Sequence, residues 1–262
     1  MPKITIDHVL SRIIDVTTSL SSAVMFYTIL PLPTEWSNNW SRIARWCPLI
    51  GLFIGSILAV IEVLLNFAGF PPLTRSAFIV TAWVAITGGL HLDGAMDTAD
   101  GLSVSDPQRR LEVMKDSHTG AFGAIAAVII LLLKTVALGE ISLPIWFVLP
   151  TVAGWARWGQ VWAIARYDYL RATGKGAFHR QNLRSPHDVL LGLIVLLGFI
   201  GFWFSVSRLL WWQIGVILTA NIVIPLLTGY WLNQKLGGHT GDTYGAVVEW
   251  SEAFILGFLT VF

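Results

Sequence analysis

The sequence has few charged residues, one cysteine and almost no net charge. Asp, Glu, Lys and Arg make up 13% of its 262 residues, whereas a soluble domain usually carries about 25%. So little charge cannot cover the surface of a soluble protein of this length, and it also excludes disorder and coiled coils. The single cysteine, Cys47, excludes an intrachain disulfide and a multi-cysteine zinc site. A formal net charge of +1 gives no footprint for nucleic acid, so no nucleic-acid partner is predicted.

Long apolar runs are abundant instead, because 55% of the residues are hydrophobic. A membrane-spanning helix needs about 20 largely apolar residues. Runs such as 125–133 and 191–200 are apolar on every side, which is typical of helices and not of the alternating strands of a membrane barrel. The sequence therefore predicts an all-α, polytopic integral membrane protein in which 1–262 is a single transmembrane domain. Seven spans are predicted, at 46–68, 75–92, 120–139, 145–165, 189–206, 209–231 and 245–262.

The N-terminal segment 20–33 is apolar but too short to cross a membrane, and Pro31 and Pro33 end it. It is predicted to lie at the membrane interface or to re-enter the membrane, and a packed core helix is the alternative.

Lysine and arginine are distributed unequally between the two sides of this topology. Fourteen fall on the side of the N-terminus, whereas only Arg75 and Arg208 fall on the other side. The positive-inside rule makes the first side cytoplasmic. The longer loops lie on that side as well, and loops carry chemistry more often than cores do. An active site is therefore predicted at the cytoplasmic face.

Three aspartates follow the second apolar run. Asp93, Asp97 and Asp100 are spaced i, i+4 and i+7, within about a 60° sector of one helix face. Carboxylates on one stripe at a membrane boundary repel one another, and a bound cation relieves that repulsion. Mg²⁺ prefers such oxygen ligands together with substrate phosphate oxygens. The stripe is predicted to bind a metal, with a solvated helix end as the alternative, and Gly94 and Gly101 are predicted to leave room for a substrate.

Basic side chains close to the acidic stripe would suit a diphosphate, which needs metal on one side and Arg or Lys on the other. A positive-inside cluster without any ligand explains the same residues equally well. The candidates are Arg109, Arg110 and Lys115, on a short helix predicted at about 107–115 and capped by Ser105.

Two more polar features stand out among the apolar runs. Residues 237–245 read GGHTGDTYG, where glycines let backbone N–H groups face an anion and Asp242 could complete a metal shell. Lys134 lies in the middle of a predicted span, where an unpaired charge is costly. It is predicted to pair with a carboxylate, for which Glu62 is a candidate, or with a phosphate, and snorkelling towards an interface is the alternative.

With these residues in view, the sequence resembles the cobalamin synthases, also called adenosylcobinamide-GDP ribazoletransferases. The resemblance rests on HLDGAMDTADG (91–101), MKDSHTGAFG (114–123) and GGHTGDTYGA (237–246), and it runs over nearly the whole chain. It implies a Mg²⁺-dependent transferase that joins adenosylcobinamide-GDP to α-ribazole or its 5′-phosphate and releases GMP. It also implies a bacterial or archaeal inner-membrane protein in contact with lipid, with a homo-oligomer or association with other cobalamin-assembly enzymes as possible states.

The residues and the resemblance together give a set of predicted roles. Asp93, Asp97 and Asp100 hold Mg²⁺ on the diphosphate and, with Asp116, form the catalytic set. Asp116 and Asp242 are further ligands or the general base, and His91, His118 and His239 are alternatives for the base. The predicted substrate-binding residues are His91, Arg109, Arg110, Lys115, His118, Lys134, Arg171, Gly238, Thr240 and Asp242.

Two other function classes fit parts of the same pattern. An ion-coupled transporter would use Lys134, Glu62 and the acidic stripe as an ion path, although the polar groups gather at one face and no inverted repeat is apparent. Solute uptake without GMP release would favour it. A CDP-alcohol phosphotransferase would also use several aspartates at the membrane edge, and the donor consumed would distinguish it.

Overall fold

The structure, a computed structural model, describes residues 6–116, 118–207 and 209–262. Within those ranges the chain forms α-helices and two short 3₁₀ turns, with no strand beyond an isolated bridge between Tyr169 and His239. This confirms the predicted all-α class. The helices are α1 (Ile6–Tyr27), α2 (Cys47–Phe67), α3 (Pro72–Thr87), α4 (Leu90–Ser103), α5 (Pro107–Val113), α6 (Ala121–Glu140), α7 (Ile145–Arg166), α8 (Lys175–Asn182), α9 (His187–Val206), α10 (Trp211–Leu236) and α11 (Gly241–Leu259).

The second predicted span, 75–92, is wrong as a single helix, because the chain breaks at Gly88 and Gly89. Both glycines have positive φ, 60° and 69°, a conformation that side-chain-bearing residues rarely adopt. Helix α3 ends before them, and α4 leaves at 92° to it. The acidic stripe therefore lies on a short helix of its own and not on a straight continuation of α3.

Helices occupy the other predicted spans, and the described chain is a polytopic, membrane-type bundle. Four helical segments are long and apolar enough to cross a membrane, or five if α3 and α4 count together as one bent span. Helices α7 and α11 do not pass that criterion, and the number of membrane crossings stays a prediction. The four segments are Ile43–Phe67, Ala121–Glu140, His187–Val206 and Trp211–Leu236.

Helix α7 forms the centre of the bundle, which explains why it is less apolar than a lipid-facing span. Most of its side chains are buried, including Trp155 and Arg157. Helix α2 packs against it at backbone distance, since a β-carbon at Gly51 would lie 2.3 Å from the Ala153 carbonyl oxygen and one at Gly55 would lie 2.4 Å from that of Leu149. Small residues thus let the two helices approach closely, as is common in membrane bundles.

A cluster of four charged side chains is buried where α6, α7 and α11 meet. Lys134 Nζ lies 2.6 Å from Glu249 Oε2 and also pairs with Glu252. Glu252 in turn pairs with Arg157, at 2.7 Å between Oε1 and Nη1. The prediction that Lys134 pairs with a carboxylate is confirmed. The two formal positive and two formal negative charges balance, which is how a membrane interior tolerates them.

Glu62, the suggested partner of Lys134, is not that partner. It pairs instead with Arg75, at 3.2 Å between Oε1 and Nε. Arg157, one of the fourteen basic residues assigned to the cytoplasmic side from the sequence, is likewise buried inside the bundle. The positions of Glu62 and Arg157 depend on ion pairs between different helices, and hydropathy does not reveal such pairs.

Helix α1 begins well before the predicted segment 20–33. Its second half packs into the bundle, with Ala23 and Tyr27 buried, so 20–27 matches the packed-helix alternative. Its first half is exposed and carries Leu10, Ile13 and Ile14 on the surface.

Candidate functional site

Helices α4 and α11 cross in direct backbone contact at the acidic stripe. A β-carbon at Gly94 would lie 2.6 Å from the carbonyl oxygen of Asp242, and one at Gly245 would lie 2.8 Å from that of His91. Gly94 therefore makes room for α11 and not for a substrate, and Gly101 similarly faces the Met114 side chain. The crossing brings the first turn of α11 beside Asp93.

Three carboxylates gather at this crossing. Asp93 is exposed and Asp97 is half-buried. The Asp97 carboxyl is close enough to Asp93 and Asp242 to be repelled by both, and Asp93 likewise repels the carboxyl of Asp242. Burial raises the pKa of the Asp242 carboxyl, while the Arg171 guanidinium beside it opposes that rise. Carboxylates held this close favour a compensating cation.

Arg171 is the basic side chain that reaches this acidic group. Its Nη2 lies 2.8 Å from Asp242 Oδ2 and donates a hydrogen bond to the Met114 carbonyl at 3.1 Å. Backbone pairing fixes its loop, since Leu170 N–H donates to the His239 carbonyl and His239 N–H donates to that of Asp168, each at 2.8 Å. The structure thus brings all three sequence motifs, around 91–101, 114–123 and 237–246, to one place.

Asp100 is held differently from the other two aspartates of the stripe. It is buried, and its two carboxylate oxygens accept hydrogen bonds from the N–H groups of Gly120 and Gly123, each at 2.8 Å. It therefore caps the first turn of α6. Among the described residues no three His, Cys, Asp or Glu side chains are grouped closely enough to hold a metal ion. The three-aspartate metal site stays a prediction.

A cavity of about 260 Å³ opens beside the acidic group. Asp93, Arg171 and Asp242 line its exposed end, and the buried side chains of His91 and Gln160 line it further in. Asp97 belongs to the acidic group but does not line the cavity. The site therefore combines a charged entrance with a deeper, uncharged recess.

The other predicted basic residues lie away from the cavity lining. Arg109 and Lys115 are exposed. Arg110 has a structural role, because its guanidinium donates hydrogen bonds to the backbone carbonyls of Val104 at 3.0 Å and Lys235 at 2.8 Å. Lys134 lies in the buried charge cluster. Arg171 is thus the predicted cation that the structure places at the site.

Asp116 and His118 form a pair on the protein surface. The Asp116 Oδ1 atom lies 2.7 Å from His118 Nδ1, and this hydrogen bond lowers the pKa of the Asp116 carboxyl. Neither residue lines the cavity. Ser117 between them is outside the described residues.

His239 has a structural environment. Its Nδ1 bonds to Thr243 Oγ1 at 3.0 Å and its Nε2 to the Gly229 carbonyl at 3.1 Å. Burial lowers its pKa to about 4. Thr240 caps α11 by accepting from Thr243 N–H, and Gly238 packs against the Asp168 carbonyl. The glycine-rich loop therefore positions Asp242, and of the three candidate histidines only His91 lines the cavity.

Several residues of the cavity were not predicted from the sequence. Gln160, Tyr169, Tyr244 and Tyr27 line it, and they come from α7, a loop, α11 and α1. Of these four residues, Gln160 could have been identified from the sequence, since a glutamine in the middle of an apolar run is unusual. The tyrosines look like ordinary core residues.

Replacing Gly94 by alanine is expected to push α4 and α11 apart, because its β-carbon would overlap the Asp242 backbone. We expect a loss of about 1–3 kcal/mol in the free energy of unfolding and a loss of activity on the order of 100-fold, as a displacement of about 1 Å can cause. Thermal unfolding and turnover measure the two effects. The matched control is Gly198→Ala in α9, where a β-carbon meets nothing within 4 Å, and wild-type activity for Gly94→Ala would contradict the prediction.

The chain is similar to known proteins over most of its length. Residues 19–260 match the family model described as cobalamin-5-phosphate synthase. The chain is 54% identical over 245 residues to the adenosylcobinamide-GDP ribazoletransferase of Trichormus variabilis, covering 93% of this chain and 96% of that protein. Proteins of the same name from a Synechocystis species and Desulfitobacterium hafniense are 48% and 37% identical, over 91% and 90% of this chain and 92% and 94% of theirs. No solved structure matches.

Proposed function

The chain belongs to the family of cobalamin-5-phosphate synthases, and we propose that the cavity between α4, α7 and α11 is its active site. The reaction joins adenosylcobinamide-GDP to α-ribazole, or to its 5′-phosphate, and releases GMP. The observation that carries the assignment of the site is the convergence of Asp93, Arg171 and Asp242 at the exposed end of one cavity.

The transfer exchanges one phosphorus–oxygen bond for another. A ribose hydroxyl oxygen that is free in both α-ribazole and its 5′-phosphate bonds to the phosphorus nearest cobinamide, and the bond from that phosphorus to the bridging oxygen breaks. The bridging oxygen and its electron pair leave with GMP, and the hydroxyl proton passes to a base. Such reactions depend on positioning and on neutralising charge.

Asp93 and Asp97 are the residues proposed to hold Mg²⁺. Their donor set fits the ion, because Mg²⁺ is usually bound by one or two carboxylates, with waters and phosphate oxygens completing the shell. When bound, the metal would neutralise diphosphate oxygens and stabilise the departing GMP. Asp100 supports α6 beside them through its two backbone hydrogen bonds.

Arg171 and Asp242 have complementary roles in the proposal. The planar guanidinium of Arg171 suits phosphate oxygens and is already fixed by the Met114 carbonyl. Asp242 is the proposed acceptor of the hydroxyl proton, because burial raises its pKa and makes it a better base than an exposed aspartate. Asp116, on the surface, is a weaker candidate.

The location of the protein is proposed from its charge distribution. We place the chain in a bacterial or archaeal inner membrane with the cavity facing the cytoplasm, since the loops that meet at the cavity are the lysine- and arginine-rich ones. Arg208, one of two residues on the opposite side, is outside the described residues. Contact with lipid, self-association and association with other cobalamin-assembly enzymes stay predictions.

The test is an assay of the purified protein with adenosylcobinamide-GDP and α-ribazole, with and without Mg²⁺. We expect equal amounts of GMP and adenosylcobalamin by mass spectrometry in the presence of Mg²⁺, and neither product after chelation. Restoring Mg²⁺ after chelation is the control for damage to the protein. Undiminished turnover without a divalent ion would contradict the metal proposal, and the absence of GMP under all conditions would contradict the function.

A further inference from the structure

The buried end of the active-site cavity is lined by polar side chains from three helices. His91 comes from α4, Gln160 from α7 and Tyr244 from α11. They are 2%, 4% and 1% exposed. The rings of Tyr27 and His91 lie nearly parallel there, with centroids 6.1 Å apart and 26° between their planes.

Four polar atoms of these side chains have no hydrogen-bond partner among the described residues. They are both ring nitrogens of His91, Oε1 of Gln160 and the hydroxyl of Tyr244. Buried polar groups are nearly always hydrogen-bonded, and leaving one unpaired costs free energy. Because all three side chains line one cavity, their common arrangement points to a ligand with several hydrogen-bonding groups.

The atoms offer both donors and acceptors. A neutral imidazole has one of each, a phenol can do either, and the amide oxygen of Gln160 accepts. Guanine offers both kinds of group, since O6 and N7 accept hydrogen bonds and the exocyclic N2 amine donates them. The base of the other substrate, α-ribazole, is a benzimidazole with a single free ring nitrogen, so it would leave most of these protein atoms unpaired.

The size and position of the recess agree with a base as its ligand. The whole cavity, at about 260 Å³, is smaller than the 300–1,000 Å³ typical of complete ligand pockets, so it suits one part of a large substrate. The half-buried ring of Tyr169 also lines the cavity and supplies aromatic surface for a base. The acidic group and Arg171 lie at the other end, where the diphosphate of the same nucleotide would be.

We propose that the recess formed by His91, Gln160 and Tyr244 binds the guanine base of the GDP-linked donor and of the GMP product. This inference rests on the proposed function of the cavity. It makes the three residues specificity determinants, whereas Asp93, Asp97 and Asp242 act on the phosphates and the hydroxyl.

GMP binding to the purified protein tests the proposal without requiring turnover. The variants are Tyr244→Phe and Gln160→Met, which remove one polar group each and nearly conserve shape. We expect each to weaken GMP binding by about 3- to 10-fold, the loss of one hydrogen bond, while thermal stability stays the same or rises. Tyr230→Phe, at an exposed tyrosine of α10, is the matched control and should bind as wild type.

Nucleotide analogues and the second substrate distinguish the outcomes. IMP, which lacks the exocyclic amine, and AMP should bind more weakly than GMP, and KM for α-ribazole should be unchanged in both variants. Equal binding of AMP and GMP, or unchanged GMP binding in both variants, would overturn the guanine assignment. So would variants that change only KM for α-ribazole, since the recess would then hold the acceptor. Failure of wild-type protein to release GMP would instead refute the proposed function, whatever the binding results.

Discussion

Asp97→Asn is expected to lower Mg²⁺-dependent turnover by more than about 100-fold, since even the outer-shell partners of a metal ligand typically contribute 10- to 100-fold. The substitution keeps the shape of the side chain and removes one negative charge from a group that also contains Asp93 and Asp242. Relief of that repulsion should leave the free energy of unfolding unchanged or raised, a trade between stability and activity common at active sites. GMP formation and thermal unfolding of the same sample measure both effects.

Asp106→Asn provides the matched control for Asp97→Asn. Asp106 is an exposed aspartate that caps α5 through a hydrogen bond from Gln108 N–H, and asparagine caps helices equally well. We expect wild-type turnover from this variant. If Asp97→Asn formed GMP at nearly the wild-type rate with Mg²⁺, Asp97 would not be a metal ligand.

Glu252→Gln is expected to reduce the free energy of unfolding by about 3–5 kcal/mol, the usual cost of removing one partner from a buried ion pair. The carboxylate of Glu252 contacts both Lys134 and Arg157. Its loss leaves two buried cations with the single carboxylate of Glu249. Thermal or denaturant unfolding in detergent measures the change.

The control for this prediction is Glu62→Gln, which breaks the pair with Arg75 between α2 and α3. Both side chains of that pair are partly exposed, and ion pairs of this kind contribute about 1 kcal/mol or less. Equal stability losses in the two variants would show that burial of the Glu252 cluster has no special effect.

The sequence was most informative where one element carries a local pattern. The spacing of Asp93, Asp97 and Asp100 places them on one helix, and α4 is that helix. The contacts that each carboxylate makes were not predictable, because they depend on other elements of the fold. Asp100 accepts a backbone hydrogen bond at the start of α6, whereas Asp93 lines the cavity beside α11.

The errors in the predicted fold also have local physical causes. The apolar composition of 75–92 hid the break at Gly88 and Gly89, since hydropathy does not register backbone conformation. The cap of α5 is Asp106 and not Ser105, a shift of one residue that the SDPQ sequence permits. The recess residues Gln160 and Tyr244 could not be grouped in advance, because distant segments of the chain supply them.

The order of synthesis gives the buried charge cluster a further consequence. Lys134 precedes its partner Glu249 by 115 residues, and Arg157 precedes Glu252 by 95. The ribosome therefore delivers both cations long before either anion, and the nascent bundle must hold them without neutralisation until α11 is inserted. A polypeptide cut short before α11 would keep two unpaired positive charges in a low-dielectric interior, so the insertion of α11 is the step that neutralises the cluster.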